Sequence, residues 1–240
     1  MTEKIILQKL VQLYASIGGL FVATPDDLQA RCKSTKALIF DWDGVFHAGE
    51  KGSGGESTFN EIDSMGVNLL RFALYLLHGE IPKSYIVTGE MNPTARAYAI
   101  REHFDGVYVG IKKKPIAVTH ICEQTALETH QTAFFFDDIL DLEVAKTVGT
   151  RWMIGKNAYP LFTEYVKQNQ LADYITGNSP GSHGLREATE LFTGLLGQFE
   201  NTLEKRIAFE GEYETYWNLR NSLETHFFTI NNGEVVSFAF

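Results

Sequence analysis

The feature that most constrains this chain is a regular alternation of short apolar runs with longer segments of helical period. Lys36-Ala37-Leu38-Ile39-Phe40-Asp41 is a continuous apolar run that ends in an acid. It reads as a buried parallel strand, because both faces are covered and neither alternates with polar residues. Residues 84–88, 106–109, 132–136, 151–154 and 172–175 repeat that form. Helical spacing is expected over residues 65–77, 94–103, 115–127 and 140–147, with one more helix before residue 172. Strands joined by crossover helices build βαβ units. The expected class is therefore α/β, Rossmann-like, with a central parallel sheet and helices on both faces.

The flanks differ in character. Residues 1–34 read as a helical extension: an amphipathic helix within residues 5–23, interrupted by Gln8, Lys9 and Gln12, then a short helix capped by Thr24 with Pro25 at its first position. The Gly-rich stretch from Gly49 to Gly55 is flanked by segments expected to pair as a small β-hairpin flap. Residues 198–227 read as one long charged helix, with a kink or break at Gly211. A turn at Asn231-Asn232-Gly233 then leads to a terminal strand over residues 234–240. The expected division is an N-terminal extension (1–34), a catalytic domain (35–196) and a C-terminal helix and strand (197–240).

Composition narrows the partners. A formal net charge of -9 argues against general affinity for nucleic acid or anionic membrane, which attract basic surfaces. An acidic chain still takes a phosphate ester where a metal ion and a few cations reverse the local field. Cys32 and Cys122 are the only cysteines, too few for a disulfide framework and not a C-x-x-C pair. They read as reduced, and the cytoplasm is the expected compartment. The N-terminal apolar segment is too interrupted for a membrane span and lacks a clean cleavage pattern.

The chemistry-bearing residues fall at strand ends, where open parallel sheets bind ligands. Asp41 and Asp43 follow the first strand, Thr88 ends the second, and Asp137 and Asp138 follow the run of three phenylalanines. Two carboxylates two residues apart can serve as nucleophile and as general acid and base, while Gly44 permits a sharp turn. Asp137-Asp138 suits helix capping when taken alone. Beside Asp41 it would need a hard cation between the carboxylates, and magnesium prefers such oxygen ligands. Asp141 is a third acid, placed either to brace that loop or to join the site. Thr88 can donate to a phosphate oxygen, and one ammonium of Lys112-Lys113-Lys114 can neutralise phosphate. The seven histidines show no metal-ligand spacing.

These segments, in this order, resemble the haloacid dehalogenase superfamily of phosphatases: Asp41-Trp42-Asp43-Gly44-Val45, Ile86-Val87-Thr88-Gly89, Lys114, and Asp137-Asp138-Ile139-Leu140-Asp141. Residues 36 to about 190 are most similar to the capless subgroup typified by 3-deoxy-D-manno-octulosonate 8-phosphate phosphatase. Phe59-Asn60, Tyr108-Val109-Gly110 and Gly181-Ser182-His183-Gly184 support that likeness. The resemblance implies that Asp41 attacks phosphorus and Asp43 acts as acid and base. It implies that Thr88, Gly89 and Lys114 hold the phosphoryl group, and that magnesium sits on Asp41, the Asp43 carbonyl and Asp137, supported by Asp138. It also implies a small phosphorylated metabolite as substrate, selected by Phe59, Asn60 and Glu90, and a homo-oligomer, commonly a tetramer, whose subunits close the site. Three positions depart from the subgroup. Glu90 stands for an arginine, Asn60-Glu61-Ile62-Asp63-Ser64 for Asn-x-Arg-Asp-Gly, and Phe136 for a glycine. Glu90 reverses the charge that would meet a sugar acid.

Two other classes compete. A receiver-type signalling domain also uses an acidic pair, a phosphorylated Asp, a Thr and a Lys, but there the acidic pair comes first along the chain. A scaffold on a catalytically retired version of the same fold would keep the architecture without turnover.

Overall fold

The structure, a computed structural model, describes residues 3–239. The elements, in chain order, are α1 (Glu3–Ser16), β1 (Leu20–Phe21), α2 (Pro25–Cys32), β2 (Ala37–Phe40), α3 (Glu61–His78), β3 (Lys83–Val87), α4 (Pro93–Arg101), β4 (Gly106–Tyr108) and α5 (Pro115–Thr125). They continue with β5 (Thr132–Phe136), α6 (Leu142–Ala145), β6 (Thr150–Met153), α7 (Pro160–Gln168), β7 (Tyr174–Ile175), α8 (Gly184–Leu195), α9 (Phe199–Ala208), α10 (Glu212–Asn221), β8 (His226–Asn231) and β9 (Glu234–Ser237).

All nine strands share one sheet, in the order β1-β7-β6-β5-β2-β3-β4-β8-β9. Pairing is parallel from β7 through to β8, and antiparallel only at the two edges, β1 with β7 and β8 with β9. The apolar runs are buried on both faces because alternate side chains enter different cores. Leu38, Phe40 and Phe135 pack toward α1–α4 and α8. Ile39, Phe134 and Phe136 pack toward α5–α7. Phe136 lies stacked on Phe134, with ring centroids 5.5 Å apart.

Local chemistry accounts for the helix ends. The Thr24 hydroxyl accepts from the Asp27 amide at 3.4 Å, with Pro25 at the first position of α2. Asn60 Oδ1 accepts from the Ile62 amide at 2.8 Å and starts α3, which Gly79 closes in the left-handed region.

Several expectations are corrected. Residues 49–59 contain turns but no strand pairing, so the β-hairpin flap is absent. The run Lys51-Gly52-Ser53-Gly54-Gly55-Glu56 has no β-branched or aromatic side chain to hold a pleated face. The long helix over 198–227 is two helices. Phe209 takes a left-handed conformation and Gly211 sits at φ 62, ψ -118, a region that glycine alone tolerates. The helix near 140–147 is a 3-10 turn plus the four-residue α6. The terminal strand is half of a hairpin whose partner, β8, occupies the end of the expected helix and the residues after it. Asn232 and Gly233, both at positive φ, make its two-residue turn. The sheet is mixed at its edges rather than wholly parallel. Met1, Thr2 and Phe240, part of the expected extensions, lie outside the described residues. Among the described residues no helix is long and apolar enough to cross a membrane, and both cysteines are free.

Candidate active site

The carboxyl ends of β2, β3 and β5 are adjacent, so the residues just past them meet at one rim. Asp41 is still held in the ladder, its amide donating to the Phe135 carbonyl at 2.9 Å. Asp41 is buried there, with its side chain 9% exposed. Asp137 leaves β5 beside it, and the turn after Asp138 brings Asp141 back. One carboxylate oxygen from each of Asp41, Asp137 and Asp141 lies within 4.8 Å of the others.

Two lysines enter this cluster. Lys114 Nζ lies 2.7 Å from Asp41 Oδ1 and 2.5 Å from Asp141 Oδ1. Lys114 is buried, whereas Lys112 and Lys113 are exposed, so burial singles out one ammonium from the run. Burial alone would favour its neutral form, but Asp41 and Asp141 outweigh that and hold it protonated above the ordinary lysine range. Lys156 ion-pairs with Asp137. Even so, burial and then the Asp41 charge push Asp137 up to about 7, against the pull of Lys156. Asp141 is likewise raised to about 7, by burial and by Asp41.

Three buried carboxylates facing two ammoniums carry excess negative charge, and all the donors are hard oxygens. That set fits a magnesium ion, which would relieve the repulsion that raises Asp137 and Asp141. Gly44 is needed for this closeness. It sits at φ +82, and a Cβ there would run into the Asp137 carboxylate and the Lys156 ammonium.

The remaining expected residues divide into two groups. Asp43 is half-buried, with Oδ1 3.1 Å from His47 Nε2 and Oδ2 3.1 Å from Lys51 Nζ. Burial pulls its pKa upward, but the hydrogen bonds from His47 and Lys51 outweigh this and hold it below the ordinary carboxylate range. Thr88 is buried and its hydroxyl accepts from the Glu90 amide at 3.4 Å. Asp41, Asp43, Gly89, Glu90, Lys112 and Lys114 all line an open cleft of about 490 Å³, with Asp137, Asp141 and Lys156 at its floor.

Three residues stand apart from the chemistry assigned to them. Asp138 reaches only the rim of the cleft. It is exposed, and its Oδ1 accepts from the Ile139 amide at 2.6 Å, so it caps the turn while Asp141 joins the cluster in its place. Phe59 packs edge-on against Tyr98 at 5.0 Å and under the Arg101 guanidinium at 4.5 Å. Asn60 is spent on the α3 cap. Neither Phe59 nor Asn60 lines the cleft.

His47, Lys51 and Lys156 were missed in the sequence. Lys156 had a legible signal, since it lies three residues beyond the end of β6, another parallel strand of the same rim. His47 and Lys51 follow Asp43 in a loop whose path no periodicity reports.

No protein-family model matches the chain. It is 26% identical over 197 residues to the 3-deoxy-D-manno-octulosonate 8-phosphate phosphatase of Escherichia coli strain B, covering 80% of this chain and 97% of that enzyme. A Legionella pneumophila protein described as a subfamily III A hydrolase of the HAD superfamily superposes with a TM-score of 0.63. It is 24% identical and covers 76% of this chain and 95% of its own. A 3-deoxy-D-manno-octulosonate 8-phosphate phosphatase from Moraxella catarrhalis, solved with a magnesium ion, a phosphate ion and a KDO molecule, superposes with a TM-score of 0.62. It is 20% identical, with 75% of this chain and 98% of that one covered. In its strand order and its likeness to these proteins, the chain has the fold of the haloacid dehalogenase hydrolases and is similar in sequence to the 3-deoxy-D-manno-octulosonate 8-phosphate phosphatases.

Proposed function

We propose that the protein is a magnesium-dependent phosphomonoesterase acting on a small phosphorylated metabolite of the sugar-phosphate class. The observation that carries this reading is the buried trio Asp41, Asp137 and Asp141 with Lys114 between two of its members. Asp41, Asp137 and the Asp43 carbonyl would hold magnesium, which when bound supplies charge neutralisation to the cluster and to phosphate. Lys114 and the Thr88 hydroxyl orient the phosphoryl oxygens. Asp41 attacks phosphorus as the P–O bond to the sugar breaks, and protonated Asp43 gives its proton to the departing oxygen. Asp43, now a carboxylate, takes a proton from water, whose oxygen attacks phosphorus and frees Asp41 and inorganic phosphate. Positioning and charge balance supply most of the acceleration in such transfers.

Glu90, exposed on the rim, favours a leaving group without its own carboxylate. The loop over residues 49–59 is too short to roof the cleft, and Ile139 and Leu140 are 64% and 70% exposed at its edge. A homo-oligomer, such as a tetramer, would cover them. Free Cys32 and Cys122 suit a reducing cytoplasm.

The test is phosphate release from sugar phosphates, octulosonate 8-phosphate and an aryl phosphate, with and without magnesium, for the wild type and Asp41→Asn. Release that needs both magnesium and Asp41 is expected. A wild type inert on all of them, yet still binding magnesium, would favour the scaffold on a retired fold.

A further inference from the structure

We infer that His47 is a positioning residue for Asp43, holding its carboxyl in the orientation that proton transfer to the leaving group needs. The inference rests on the phosphatase reading above and deepens it.

The histidine is built into the site. Its side chain is 4% exposed, and its ring lies 6.0 Å from that of Trp42, itself fully buried. The Gly49 amide donates to His47 Nδ1 at 3.1 Å. A nitrogen that accepts cannot carry hydrogen, so the neutral ring holds its proton on Nε2. Nε2 lies 3.1 Å from Asp43 Oδ1, so it donates there. A bridge between the backbones of Asp43 and His47 fixes the three residues that join them.

Two consequences follow for the chemistry. First, the Asp43 carboxyl plane is fixed by a buried donor instead of rotating freely about its last bond. Second, His47 on Oδ1 and Lys51 on Oδ2 hold the carboxyl from both sides, so its orientation toward the leaving oxygen is set before the substrate arrives. His47 thus acts through Asp43 and touches no reacting atom itself.

The experiment compares wild type, His47→Phe and His47→Gln on an aryl phosphate and an alkyl phosphate, reading kcat/KM, which reports the step that releases the alcohol. Phenylalanine keeps the ring against Trp42 and removes the donor. The amide nitrogen of glutamine reaches where Nε2 stood. The expected result for His47→Phe is a loss of about ten- to a hundredfold on the alkyl ester, the range for a hydrogen bond to a charged group. The aryl ester should lose far less, because an aryl oxide departs without protonation. His47→Gln should recover most of the alkyl activity. Equal losses on both esters, or no loss, would overturn the inference, since a merely structural role lowers both alike. Should His47→Phe not fold, as read by circular dichroism, His47→Asn serves in its place. Its shorter amide cannot reach Oδ1, so activity equal to His47→Gln on the alkyl ester also overturns the assignment. A wild type inert on both esters removes the phosphatase reading itself, and this inference with it.

Discussion

The carboxylate cluster makes the metal-free protein weaker as pH rises, in a way that one substitution isolates. Asp137 and Asp141 are raised from an ordinary 3.8 to about 7 by burial and the Asp41 charge. A carboxyl with a raised pKa stays protonated in the folded chain where the unfolded chain has already ionised it. Its effect on stability is therefore nil below 3.8 and grows as a loss up to about 7, where it levels off. Between pH 5 and 7 the loss is about two pK units, or about 3 kcal/mol at 1.36 per unit. It is counted once because both carboxyls repel the same Asp41 charge. For a chain of this length that corresponds to a fall of about 6–12 °C in Tm. Acids with lowered pKa, such as Asp173 beside Arg31 and Arg151, are ionised in both states above pH 5 and drop out. The seven histidines do titrate in this window, so the informative quantity is the difference from Asp141→Asn. That variant removes one acid and eases Asp137, and its decline from pH 5 to 8 should be under half that of the wild type. The assay is thermal unfolding in chelator, repeated with millimolar magnesium. Magnesium should restore more Tm at pH 8 than at pH 5, where protons compete for the same oxygens. A wild-type Tm that falls no faster than that of Asp141→Asn would refute the mutual repulsion of these carboxylates in the metal-free protein.

Two further substitutions probe other contacts. Gly44→Ala combines a left-handed backbone with a collision against Asp137 and Lys156. It should cost about 2 kcal/mol in denaturant unfolding and, by displacing Asp137, about a hundredfold in phosphate release. Arg220→Ala removes a buried guanidinium that donates to Asn68 Oδ1 at 2.7 Å, lies 3.4 Å from Glu102 Oε2 and covers the Trp217 ring at 4.5 Å. A loss of about 1–3 kcal/mol is expected, with kcat unchanged because α10 lies away from the cleft.

The core was legible because buried parallel strands leave a pattern in the chain: both faces are covered, so Ala37–Phe40 and Thr132–Phe136 are apolar throughout. The same rule located Asp41, Thr88 and Asp137, since residues just past such strands share a rim. What composition and periodicity, without the family resemblance, could not decide was which member of a local cluster turns inward. Lys114 differs from Lys112 and Lys113 only in the direction the chain leaves β4, and Asp141 displaced Asp138 because a 3-10 turn, not an α-helix, follows β5. The flap failed for a different reason: glycine-rich segments lack the side chains whose cross-strand contacts set a register. The C-terminal hairpin was hidden because β8 is half-exposed and alternates weakly, while its pairing with β4 spans about half the chain. No local window reports such a contact.

That last pairing bears on how the protein is made. Strand β4 leads into the segment carrying Lys114, and its outer edge is closed by residues 226–228, with Val109 donating to the Phe228 carbonyl at 2.9 Å. During synthesis the β4 edge emerges long before β8 does. Until β8 has been made and has paired, a strand with unpaired amides stands open to any extended chain that meets it. Closure of the sheet beside the acid-lined rim thus waits for β8, and a chain lacking residues 226–240 would carry a sticky sheet edge instead of being a slightly shorter version of the same fold.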